Sequence, residues 1–328
     1  MVQVDLAKIE RIPGRAREDE IEAADSPFYT RQPLTVRRYL YLSKDLLRKQ
    51  REVPVNPDRT EIDDPTEITN TIKEMALKLG ADVVGIADYH PAATFSQFPL
   101  RDFKRIVVFG KEFIYDSKLE IGHHATLELA QVKFELDNIA VQLNYHFASW
   151  GYAGSAMMNG GEVLLPVAGY LAGLGELGKL GSIISKEHGS TLRLGAVATE
   201  MPLKIDGPKD HGVDQVCQSC QICTRFCPGE AISPEKYDFH GIPRWRINTP
   251  KCEPYLFKLF GCKICMMVCP FGSRSKFKEE YKNTAAAIRE AKTREALLDK
   301  IVEQSGIDFD KLNVPVVEHY PDGWDSEE

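Results

Sequence analysis

Apolar residues recur along the chain with two periods. Ile68, Ile72, Met75 and Leu79 fall on one face of a helix. Asp64 is placed to cap that helix, Pro65 suits its first position, and Gly80 can end it. Short apolar runs at 83–86, 106–109, 163–165 and 192–197 read as buried strands. A long amphipathic helix is predicted over 125–150, where Leu129, Val132, Leu136, Ile139, Leu143 and Phe147 follow the 3.6-residue period. A glycine-rich turn and a further helix should lie between the last two strands. Helices alternating with strands imply an α/β (α+β) layered domain.

The flanks differ. Residues 1–63 are polar and read as an irregular wrapping segment, with 31–60 rich in Lys and Arg. A polyanion-binding or docking arm is the other reading of that stretch. The predicted divisions are 1–63, an α/β domain over 64–213, a cysteine-spaced segment over 214–275, and a C-terminal helix with an acidic tail over 276–328. The formal charge of −7 excludes a globally basic nucleic-acid binder, so nucleic acid is not expected as a partner. No run approaches the roughly 18 apolar residues of a membrane span. The N-terminus has no apolar leader, so a cytoplasmic chain is expected.

All 8 cysteines lie between Cys217 and Cys269. Clustering of this kind, in a chain without an export signal, points to metal rather than disulfides. The first motif is Cys217-x2-Cys220-x2-Cys223-x3-Cys227-Pro228, the second Cys252-x9-Cys262-x2-Cys265-x3-Cys269-Pro270. The first spacing is that of bacterial ferredoxins with two clusters, where the fourth cysteine ligates the other cluster. One [4Fe–4S] cluster is therefore expected on Cys217, Cys220, Cys223 and Cys269, and the other on Cys262, Cys265, Cys227 and Cys252. Zinc also uses C-x2-C pairs, but overlapping runs of this form fit its four-ligand sites poorly.

Residues 173–178 match G-x-G-x-x-G. No clean strand leads into them and no acidic residue closes a second strand, which argues against a dinucleotide site. The wider run does better: Val163-Leu164-Leu165-Pro166, then Ala172 through Lys179, Glu187-His188-Gly189, Arg193-Leu194-Gly195 and Thr199 through Leu203. With the cysteine motifs that follow, this region resembles the corrinoid-dependent reductive dehalogenases and, more distantly, the epoxyqueuosine reductases. The resemblance covers roughly residues 64–275.

It implies a nitroreductase-like domain that buries cobalamin, joined to a ferredoxin-like segment with two [4Fe–4S] clusters. Asn159, Gly173, Leu174, Gly175, Glu176, Gly178, Lys179 and Gly181 would then contact the corrinoid. Glycines suit close backbone approach to a macrocycle, although tight helix–strand packing explains them equally. The family's tyrosine proton donor has no clear counterpart on the long helix. His123 and His124, Lys133 and Tyr145 are the candidates to replace it, and Arg193 could orient an anionic group. The expected reaction is reductive dehalogenation of a small organohalide, fed by a separate ferredoxin, flavodoxin or reductase; a homodimer is compatible. The alternatives are a corrinoid reductase of a non-halogenated substrate, or an iron–sulfur relay without corrinoid.

Overall fold

In the computed structural model the described residues are 34–50, 53–95, 101–113, 123–157, 162–259 and 261–305. Asn159, the arm before residue 34 and the acidic tail lie outside them, as do the side chains of His123 and His124.

A four-stranded sheet forms the centre, with order β1 (Val83–Asp88), β2 (Arg105–Glu112), β6 (Leu192–Thr199), β3 (Gly154–Met157). Every pairing is antiparallel, so the α+β form of the expected class is the one adopted. Successive strand residues face opposite sides. Val107 and Phe109 of β2 therefore join one core, and Ile106 and Val108 the other. Burial on both faces is why the strands read as unbroken apolar runs rather than alternating ones.

Helices cover both faces. On one lies α3 (His123–Ser149), where Val132, Leu136, Ile139, Leu143 and Phe147 are buried. Each such side chain contributes about 1.5–3 kcal/mol on leaving water. Beside it sits α2 (Pro65–Lys78), whose Asp64 carboxylate accepts from the Thr66 N–H at 2.7 Å as the sequence suggested. The other face carries α4 (Leu165–Leu171), with Leu165, Val167 and Ala168 buried.

Two expectations are corrected. Residues 163–165 are not a strand: Val163 makes one isolated bridge to Thr94, and Leu165 already starts α4, with Pro166 in its first turn. The N-terminal segment is not irregular throughout, because Leu34–Lys49 forms a helix, α1, packed along α3 with Leu42 and Leu47 buried. Just beyond it, the Gln50 amide accepts from Ala156 N at 2.9 Å and donates to Ala156 O at 3.5 Å. That side chain stands where another strand would pair with the edge strand β3.

The cysteine segment holds α5 (Val213–Ser219), α6 (Ile222–Phe226), a hairpin of β7 (Ile232–Phe239) and β8 (Ile242–Ile247), α7 (Thr249–Lys258) and α8 (Ile264–Met267). Two further helices, α9 (Lys278–Glu290) and α10 (Arg294–Ser305), return against it. From α9, Arg289 donates to the Val268 carbonyl at 3.0 Å and the Tyr281 hydroxyl to that of Cys269.

Candidate iron–sulfur centre and its surroundings

The two motifs repeat one local shape. In each, a short helix is followed by a cysteine in extended backbone and then a proline: Cys227 has φ −66 and ψ 115, Cys269 φ −64 and ψ 127. Proline keeps the preceding residue out of the helical region. The fourth thiol of each motif is thereby turned away from the other three.

The destination of each thiol follows. Cys217, Cys220, Cys223 and Cys269 line one partly open hollow, together with Lys179, Leu180 and Ile184. Cys252, Cys262 and Cys265 lie close enough to Cys227 for its charge to act on each of them. This arrangement is compatible with ligands shared crosswise between the two motifs. Among the described residues, no three His, Cys, Asp or Glu side chains close around a single metal ion; the thiols ring a space instead.

Chemistry agrees with a polynuclear group. Burial, reinforced by neighbouring thiols, pushes Cys223 and Cys252 up to about 11 and Cys262 and Cys269 up to about 12, and raises Cys265 as well. Left alone, these thiols stay protonated. Iron draws off the protons and supplies the positive charge that such a site otherwise lacks. Donors to sulfur are already in place: Ala231 N–H reaches Cys227 Sγ at 3.3 Å, and the N–H groups of Lys179, Ile264 and Phe271 face Cys217, Cys262 and Cys269. The residues present fit [4Fe–4S] groups.

The glycine run does not form an open seat for a macrocycle. A Cβ on Gly175 would stand 2.5 Å from the Ile184 carbonyl oxygen, and one on Gly181 would strike Ile247. Gly173 and Gly178 are likewise backed by Gly207 and Ile184. The run builds a small hairpin, Glu176–Leu177 with Ile183–Ile184, labelled β4 and β5. Leu174 is buried in the core beneath α4. Glu176 is committed too, accepting from the N–H groups of His211 and Val213 at 2.6 and 3.0 Å. Close packing of the chain on itself accounts for these glycines.

The remaining candidates separate. Lys133 pairs with Asp137 one turn on. Tyr145 follows Lys133 by twelve residues on the same helix, about 18 Å along its axis, and packs against the core. Lys133 and Tyr145 thus stand as separate candidates, well apart on the helix. Arg193, opposite Lys111 in the β2–β6 register, has its Nε sealed from solvent without a hydrogen-bond partner. Burial pulls its guanidinium down, and the charges of Asp137 and Glu128 push it back up.

Sequence reasoning missed its neighbour. Lys263, 6% exposed, pairs with Glu128 at 3.1 Å and lies 4.8 Å from the Phe113 ring centroid. Burial lowers its ammonium pKa, and the approach of Arg193 lowers it further. Its one signal in the sequence is a lysine directly beside a ligand cysteine. Glu112 was also missed. Its carboxylate is fully enclosed and holds His188, the Ser275 hydroxyl at 2.6 Å and the Lys276 N–H at 3.0 Å.

Residues 216–273 match a family model described as a 4Fe-4S dicluster domain. Over 281 residues the chain is 29% identical to the tetrachloroethene reductive dehalogenase of Sulfurospirillum multivorans, covering 71% of this chain and 56% of that one. This chain is similar in sequence to the reductive dehalogenases. It is also 30% identical over 177 residues to an epoxyqueuosine reductase of Lactococcus garvieae, 48% of this chain and 44% of the other. A solved reductive dehalogenase, described for B12-dependent dehalogenation, aligns with TM-score 0.64 at 23% identity, over 85% of this chain and 43% of that one. The likeness to reductive dehalogenases is thus one of sequence and of fold. The chain spans about half the length of the curated relatives it matches. Among the described residues, no helix is long and apolar enough to cross a membrane.

Proposed function

We propose that the chain is an oxidoreductase that holds two [4Fe–4S] clusters and, with a corrinoid, removes halide from a small organohalide. The observation that carries this reading is the crosswise gathering of eight thiols into two sets of four. When bound, the clusters supply one-electron transfer.

The chain's own residues do the rest. Cys227-Pro228 and Cys269-Pro270 direct one thiolate of each motif across to the other set. Backbone N–H groups at 179, 231, 264 and 271 hold the sulfurs by hydrogen bonds. Arg193 and Lys263 bring two cations into one enclosed region against Glu128 and Asp137, a setting suited to an anion such as a leaving halide. Replacing halogen by hydrogen consumes an electron pair and a proton. Lys133, held by Asp137, and His124, one turn before Glu128 on α3, are the proton carriers we assign to it.

The corrinoid and the organohalide are supported by the relatives, whose descriptions include B12 and chlorinated ethenes. Since residues 173–181 offer the corrinoid no open seat, no step is assigned to it. We also assign a separate electron donor and a cytoplasmic setting. The epoxyqueuosine reductase match favours a second reading, a reductase of a non-halogenated substrate.

The test is anaerobic reconstitution with iron, sulfide and cobalamin, followed by iron and cobalt analysis and halide assay over an organohalide panel with a reduced viologen. Iron and cobalt retention with halide release is expected. Iron without cobalt and without halide release would overturn the dehalogenase reading and leave a relay.

A further inference from the structure

Lys179 is 1% exposed, one of the largest fully buried side chains of the protein. Its Nζ donates to the carbonyl oxygens of Cys220 at 3.2 Å and Gln218 at 3.4 Å, both at the C-terminal end of α5, the helix that carries Cys217. The same Nζ lies 4.6 Å from the centroid of the Trp245 ring. The residue also lines the hollow with Cys217, Cys220, Cys223 and Cys269, and its backbone N–H faces Cys217. Among the described residues, the partners found for its side chain are carbonyls and an aromatic ring, all neutral.

A buried ammonium without a counter-charge is unfavourable. A cube held by four thiolates is net negative and gains a further negative charge on reduction. The second set of thiols has a lysine of its own, Lys263, beside Cys262, but that charge is matched by Glu128 at 3.1 Å. The charge of Asp214 also reaches Cys217, and Asp214 is itself paired with Lys236 at 2.5 Å. Lys179 is thus a buried cation beside the first set whose own side-chain partners are neutral.

We propose that Lys179 is the built-in counter-cation of the first cluster, raising its reduction potential so that electrons pass from the Cys252, Cys262, Cys265 and Cys227 set to the Cys217, Cys220, Cys223 and Cys269 set. A fixed positive charge stabilises the more negative, reduced form, and low local polarity magnifies the effect. Lys179 acts through the cluster; it is a positioning and tuning residue. The inference rests on the iron–sulfur part of the proposed function and on neither the corrinoid nor the substrate.

The experiment is an EPR-monitored redox titration of the full chain after anaerobic loading with iron and sulfide. The variants are Lys179→Met, which removes charge but keeps the stem, and Lys179→Arg, which keeps charge. Cys252→Ser, which disables the second set, assigns the signals. In Lys179→Met one midpoint falls by at least tenfold in the reduction constant, about 59 mV for one electron. The other midpoint stays put, iron content is unchanged, and Lys179→Arg restores most of the shift. Lys179→Gln, neutral but still a donor, takes the place of Lys179→Met if the latter fails to load. Fully loaded neutral variants with both midpoints unmoved, or both moved equally, would overturn the assignment. A wild-type chain that forms no EPR-active cluster would instead bring down the iron–sulfur reading beneath it.

Discussion

The buried carboxylate of Glu112, on β2, clasps the imidazole of His188 and at the same time binds Ser275 and Lys276 just past the second cysteine motif. Next to His188, Gly189 at φ +61 lies against the Phe271 carbonyl, and the Ser190 hydroxyl donates to the Met266 carbonyl at 3.0 Å. The α/β domain thus grips the backbone on both sides of Cys269.

This contact carries a pH dependence. The hydrogen bond to Glu112 raises the His188 pKa above 6.5, with desolvation opposing it and the charges of Glu112 and Asp82 adding to it. A raised folded-state value means the pair stabilises the fold fully below the unfolded value of about 6.5 and loses that effect as pH rises through the folded one. In melting curves from pH 5 to 9, wild type should lead His188→Gln at the acid end and converge with it at the alkaline end. A gap that widens with pH would contradict the pairing.

Glu112→Ala should be among the most destabilising single changes. It strands a histidine, a hydroxyl and an N–H in a closed space. Removing one partner of a buried pair costs about 3–5 kcal/mol. Denaturant titration of the iron-loaded chain measures it, and Glu112→Gln, which keeps an acceptor, should lose less.

Gly189→Ala tests the grip on Cys269 directly. A non-glycine residue held at positive φ costs about 1–3 kcal/mol, and here the new Cβ also strikes Phe271 O. The expected result is lower stability together with weaker retention of the first cluster, read as iron content and EPR amplitude after gel filtration.

Cysteine exchange tests the crossing. Cys269→Ser should remove the cluster of the first motif and leave that of its own, while Cys227→Ser does the reverse. Each loses about half of the bound iron. If Cys269→Ser instead abolished the signal shared with Cys262 and Cys265, ligation would be motif by motif.

Much of this architecture was legible in the residues. Asp64, the apolar stripe of α3 and the runs in β2 and β6 announce their elements because local preference and burial agree. The cysteine partition was legible because Cys-Pro forces extended backbone at a fixed spacing. Residues 163–165 misled because a short apolar run does not separate strand from helix, and α1 was hidden by the charges on its outer face. The glycine run misled in another way. Its composition is the same whether the backbone must clear a ligand or its own neighbours, and only the positions of Ile184, Gly207 and Ile247 decide. Lys263 looks like an ordinary surface lysine until the fold encloses it.

The interlocked prolyl turns also bear on biosynthesis. A nascent chain that has produced only its first motif possesses no finished quartet, and the set that takes Cys269 is the last to be completed. Under the ligation proposed above, loading of either quartet accordingly waits for the second motif to be made.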